Sequence, residues 1–136
     1  MVSVEVKVGR LVEARVVTPG TINDVVQARE RMEYIFKVSP GRIVGCADFT
    51  RATVFPQDVA AKVIELFRSD NPKVERTGIL VSKSAVFSLQ VERLITQANN
   101  PARRCFHDPF ELKAYLGSLL SHEEHARLAQ FLTEKV

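Results

Sequence analysis

Tryptophan is absent, cysteine occurs only twice, and the six glycines are scattered through 136 residues. Each scarcity removes a class of function. Cys46 and Cys105 have no CxxC partner, so neither a thiol redox motif nor a zinc ribbon is present. Both sit in apolar, strand-like runs and are expected to be reduced core residues. Dispersed glycines give no phosphate-cradling loop and no nucleophile elbow around a serine. No stretch of about 18 apolar residues exists to span a membrane. The N-terminal MVSVEVKVG is interrupted by Glu5 and Lys7, unlike the continuous apolar segment of a signal peptide, so a cytoplasmic location is expected. Nineteen basic residues against sixteen acidic ones leave a net charge of +3. That excess is spread along the chain without a Lys/Arg block, and nucleic-acid binding is not expected.

What is present is hydrophobic periodicity that changes from two to 3.6 and back. Val2, Val4, Val6 and Val8 alternate with polar residues, predicting a half-buried strand. Gly9-Arg10 fits a tight turn with glycine first, where a positive φ is needed, and LVEARVV (11–17) is the return strand. Thr21 and Asp24 resemble a helix N-cap pair. Beyond them Ile22, Val25, Ala28, Met32, Ile35 and Phe36 recur on one helical arc, with Asn23, Glu30, Arg31 and Tyr34 opposite. Ser39-Pro40-Gly41 stops that helix. RIVGCADF (42–49) reads as a strand, and a helix starts near Pro56 and ends at Asn71-Pro72. TGILV (77–81) suits a strand buried on both faces, and residues 84–98 are helical. RRCF (103–106) is the last strand. Asp108-Pro109-Phe110-Glu111 combines a capping box with proline at the first helical position. Ser121 and Glu124 form a second box that opens a terminal helix over 121–136. The order ββαβαβαβα plus a helix predicts one α/β domain over 1–136. Its sheet is mostly parallel, with the N-terminal hairpin as an antiparallel edge. Phe36 and Phe67 are expected to anchor helices on the sheet.

ADFTRATVFPQDVAAKV, SLQVERLITQANNPARRCF and DPFELKAYL, in this element order, resemble the STAS domain. That is the fold of the bacterial anti-sigma-factor antagonists, and the likeness is greatest to its uncharacterised SpoIIAA-like branch. The resemblance covers nearly the whole chain through patterns rather than signatures. It implies a non-enzymatic regulatory or scaffolding domain that binds protein partners and sometimes ligands. In the antagonists a serine opens the helix after the third strand and is phosphorylated. Here that stretch is Val54-Phe55-Pro56-Gln57-Asp58, without a hydroxyl or a glycine. Thr50 and Thr53 lie on the other side of Pro56, so the switch is not expected to transfer.

Ligands of open α/β sheets meet loops at the carboxyl ends of parallel strands. Asp48, Thr50 and Arg51 form a candidate rim for a ligand or a regulatory contact. Ser82, Lys83, Ser84, His107 and Asp108 stand at the same end, where Ser84 and Asp108 read as helix N-caps. His107 near Cys105 is the only local Cys/His pair, and the two side chains are expected to diverge. His122-Glu123-Glu124-His125 has the wrong spacing for a zincin and no third ligand, and His125 is expected on the apolar face with Leu128 and Leu132. No catalytic residue, metal or cofactor is therefore assigned. On the helix over 84–98, Phe87, Val91, Leu94 and Ala98 make one apolar stripe. Ala85, Val86 and Leu89 make a second, with Gln90 and Arg93 beside it. The second stripe either packs on a neighbouring element such as the terminal helix, or receives a protein partner or a second copy of the chain. The alternative function is a small-ligand-binding or enzymatic domain that uses the rim at Asp48, Thr50 and Arg51.

Overall fold

Strands β1 (Val2–Val6) and β2 (Leu11–Val17) pair antiparallel, Val6 opposite Val12, in a computed structural model that describes residues 1–134. The amide of Leu11 closes the turn onto the carbonyl of Val8 at 3.3 Å. Gly9 has φ +57°, and a Cβ there would run into the side chain of Glu124, so glycine is required twice over. The alternation of the first valines reaches less far than the sequence suggests. Val4 is buried, Val6 is exposed, and Val8 belongs to the turn.

The chain continues through helix α1 (Ile22–Val38), β3 (Ile43–Arg51), α2 (Gln57–Asp70), β4 (Val74–Val81), α3 (Ala85–Ala98), β5 (Arg103–Phe106), α4 (Pro109–Gly117) and α5 (His122–Thr133). The terminal helix expected over 121–136 thus ends at Thr133, and residues 135–136 lie outside the described residues. Reciprocal capping boxes form at Thr21/Asp24 and Ser121/Glu124. Asp108 caps α4 through the amide of Phe110, without the return bond from Glu111 that a box requires. Pro56 stands at the N-cap of α2 rather than inside its first turn.

One five-stranded sheet runs β1-β2-β3-β4-β5, antiparallel only between β1 and β2. The strand order never reverses, so right-handed crossovers lay α1, α2 and α3 on one face. Val25, Met32, Val59, Val63, Phe87 and Val91 from these helices share a core with Val4, Val12, Ile43, Ala47 and Ile79 of the sheet. The other face is closed by α4 and α5, whose Leu112, Leu116, Leu128 and Phe131 pack on Leu11, Val44, Cys46 and Leu80. Gly78 lets α4 approach this closely, since a Cβ would lie 2.8 Å from Cγ of Leu112. Phe36 and Phe67 are only half-buried. Phe87 and Phe131 are the aromatic rings fully enclosed by the two faces. No helix among the described residues is long and apolar enough to cross a membrane.

Candidate functional site

Alternation along β2 turns Val12, Ala14 and Val16 toward α1–α3, and Leu11, Glu13 and Arg15 toward α4 and α5. Glu13 and Arg15 would be solvent residues of a half-covered sheet, but α5 lies across them. Arg127 of α5 donates from Nε and Nη2 to the two carboxylate oxygens of Glu13, each at 2.6 Å. Both side chains are buried, and the fork-on-fork geometry is the strong form of the pair. Those hydrogen bonds come first in pushing the Arg127 pKa upward. Arg127 also grips Glu134, from Nη1 at 2.8 Å and from Nη2 at 3.2 Å. Arg15 reaches the same Glu134 carboxylate at 2.9 Å, the Phe131 carbonyl at 3.0 Å and Asp48 at 3.0 Å. Its guanidinium lies 4.1 Å from the centre of the Phe131 ring. The second oxygen of Asp48 accepts from the Thr50 amide at 2.9 Å and hydroxyl at 2.6 Å. The result is a chain of charges that alternate in sign: Glu13, Arg127, Glu134, Arg15, Asp48. The Arg127 hydrogen bonds come first in holding the Glu134 carboxyl below the usual carboxylate range; burial opposes them, and the charge of Arg127 and a hydrogen bond from Arg15 add to the lowering.

Arg15, Asp48 and Glu134 of this network line a cleft of about 550 Å³ at the carboxyl ends of β2 and β3, beside the apolar Leu80 and Leu132. All three rim residues expected from the sequence line it, still inside the extended strand rather than in the loop beyond. Asp48 and Thr50 bond to each other, while the exposed Arg51 pairs with no carboxylate among the described residues. His107 sits farther across the sheet, its ring nitrogen 3.1 Å from the Ser82 carbonyl. Ser84 caps α3 at Phe87, as its position suggested. Sequence reasoning missed Glu13, Arg15, Arg127 and Glu134. The one local signal was Arg127 and Glu134 seven residues apart, which puts them two turns along one helical face. His125 is not on the apolar face: it is exposed, with its ring 2.8 Å from the Gly117 carbonyl. The inward face is Glu124, Arg127, Leu128 and Phe131, about one residue's rotation away.

A second space, about 130 Å³, lies between the sheet and α1 and α2 over the small residues Ala14, Gly45 and Ala47. Asp70 and Arg103 line it among apolar neighbours. Burial raises the Asp70 pKa to about 7 and Glu33 adds to the rise, while Arg103 and Arg29 oppose it. Burial also lifts both thiols, Cys105 to about 11 and Cys46 further, so neither is poised as a nucleophile at neutral pH.

On α3 the two stripes separate. Phe87, Val91, Leu94 and Ala98 are buried, and the Phe87 ring packs edge-on against Phe55 with Phe49 beside them. Ala85, Val86, Leu89 and Arg93 are exposed. The terminal helix does not cover them, because α5 packs on the opposite face of the sheet. Gln90 is half-buried and turned inward. Its carboxamide donates to the Phe55 carbonyl at 2.9 Å and accepts from the Phe55 amide at 2.8 Å. It clamps the loop before α2 to α3 and is not a free margin residue. The sequence matches no protein-family model and no curated protein.

Proposed function

We propose that the chain is a cytoplasmic, non-enzymatic STAS-like domain that regulates or scaffolds through protein contacts, a second copy of itself being the simplest partner. The apolar surface beside the Gln90 clamp carries this reading. Val86 is 67% exposed, Leu89 57%, and Val54, next to the clamped Phe55, 47%. A single exposed leucine is ordinary, but large apolar residues brought together on one rigid helix and its clamped loop suit the centre of an interface. Arg93 supplies a polar margin, and a two-fold assembly needs only one such self-complementary patch. Sedimentation and denaturant unfolding of the wild type and Leu89→Asp test it together. The wild type is expected to self-associate, and the variant to be monomeric because association would bury an unpaired carboxylate. Its own stability is expected to change by no more than about 0.5 kcal/mol, as for an exposed position. A monomeric wild type removes the homodimer. A variant that unfolds easily removes the whole reading, since Leu89 would then be core.

A further inference from the structure

We propose that the carboxyl-end cleft is a binding site for a small dicarboxylate, filled at its inner end by the chain's own Glu134. The inner end is already a carboxylate receptor. Three N–H groups from Arg15 and Arg127 converge on the Glu134 carboxylate at 2.8–3.2 Å. The two arginines do not depend on Glu134 for their positions. Arg127 is locked by its bidentate pair with Glu13, and Arg15 by Asp48, the Phe131 carbonyl and the Phe131 ring. Displacing Glu134 therefore leaves the donors in place, as a preorganised site requires. Glu134 is the most loosely built member. Its side chain is 34% exposed, against 9% and 12% for the arginines, and it stands one residue beyond the end of α5.

The rest of the cleft selects the ligand. A guanidinium fork matches a planar carboxylate in two parallel hydrogen bonds. Leu80 and Leu132 offer apolar walls for a short methylene spacer. Arg51 lines the same space without a carboxylate partner among the described residues, and supplies the counter-charge for a second carboxylate. Glu134 then acts as a tethered competitor. An external ligand sees only the fraction of molecules in which that side chain has swung out, so its apparent affinity falls by that fraction.

The test is titration calorimetry of the full chain with succinate and with acetate. The proteins are wild type, Glu134→Ala, Glu134→Gln and Arg51→Ala, each checked for folding by circular dichroism. Succinate is expected to bind the wild type, and to bind Glu134→Ala about tenfold more tightly or better. Glu134→Gln, which keeps the side chain's size and loses its charge, is expected to fall between them. Arg51→Ala is expected to bring succinate down to the affinity of acetate. Equal affinities for acetate and succinate in the wild type overturn the dicarboxylate assignment. Saturable binding that is missing from the wild type at about 10 mM, whether or not the Glu134 variants bind, overturns the site altogether, because that concentration reaches even very weak complexes.

Discussion

The two faces of the sheet solve the same problem with different materials. Under α1–α3 the closure is apolar, built on Phe49, Phe55 and Phe87 with ring centres 5.6–6.3 Å apart. Under α4 and α5 the apolar cluster is smaller, and beside it lies the Glu13–Arg127 pair with its extension to Glu134, Arg15 and Asp48. The cause is coverage. Three crossover helices of 14–17 residues span one face, whereas helices of 9 and 12 residues span the other. Where the short helices run out, at the carboxyl ends of β2 and β3, paired charges seal the sheet and a cleft begins. An apolar closure favours a stable scaffold, and an ionic one leaves polar groups where a ligand can exchange for one of them.

The comparison breaks most sharply at Phe87. Phe87→Ala is expected to cost about 4 kcal/mol in denaturant unfolding, because the ring is fully enclosed and its neighbours are themselves rings that cannot collapse far. A cost below about 1 kcal/mol would show that the crossover face is not held at this point. On the opposite face Arg127→Met is expected to cost about 3 kcal/mol, most of it from leaving Glu13 buried without its partner. The double change Glu13→Leu with Arg127→Met should recover most of that loss. If the double variant is as unstable as the single one, the ion pair is needed for something more than mutual compensation.

The smallest effect sharpens the contrast with pH. Asp70 is a buried carboxylate on the more apolar face, where Arg103 is also buried, and among the described residues it has no ion pair of the kind that Glu13 has. Its folded pKa, raised to about 7, lies above that of an unfolded aspartate. The folded state therefore holds the proton more tightly. This contribution is fully present below about pH 4 and is lost as pH rises to about 7. Asp70→Asn is expected to stabilise the protein by about 2 kcal/mol at about pH 8 and to change little at about pH 3. Equal effects at the two pH values would show that Asp70 does not titrate in this window.

The elements were legible because each has a local cause. Thr21, Ser84 and Ser121 cap where their side chains predict, Gly9 takes the positive φ its turn demands, and the arcs of α1 and α3 follow the 3.6 period. The charged half of the site was not legible. A pattern that counts Glu and Arg as solvent residues turns β2 half outward and rotates α5 toward His125. The interaction that reverses both joins residues 114 apart. Asp48, Thr50 and Arg51 could be found from the strand-end rule alone. What holds Asp48 in place is Arg15, and Arg15 in turn rests on the carbonyl and ring of Phe131 in α5, links that exist only after the sheet and the last helix have met.

The stitch between the first turn and the last helix also sets an order of events in time. Glu124 accepts from the Arg10 amide at 2.7 Å and from the Ser121 amide at 2.8 Å, so the hairpin tip and the start of α5 share one carboxylate. Burial works against that charge, and the amides outweigh it, lowering its pKa. The crossover face assembles from successive strand–helix–strand units, each closing over a short length of chain. The other face has to wait. The Arg10 amide and the Glu13 carboxylate meet their partners in α5 114 residues later, the kind of distant contact that slows folding. As the chain leaves the ribosome, Leu11, Val44 and Leu80 stay uncovered until α4 and α5 arrive, and the nascent protein passes through a stage with one finished side and one adhesive side.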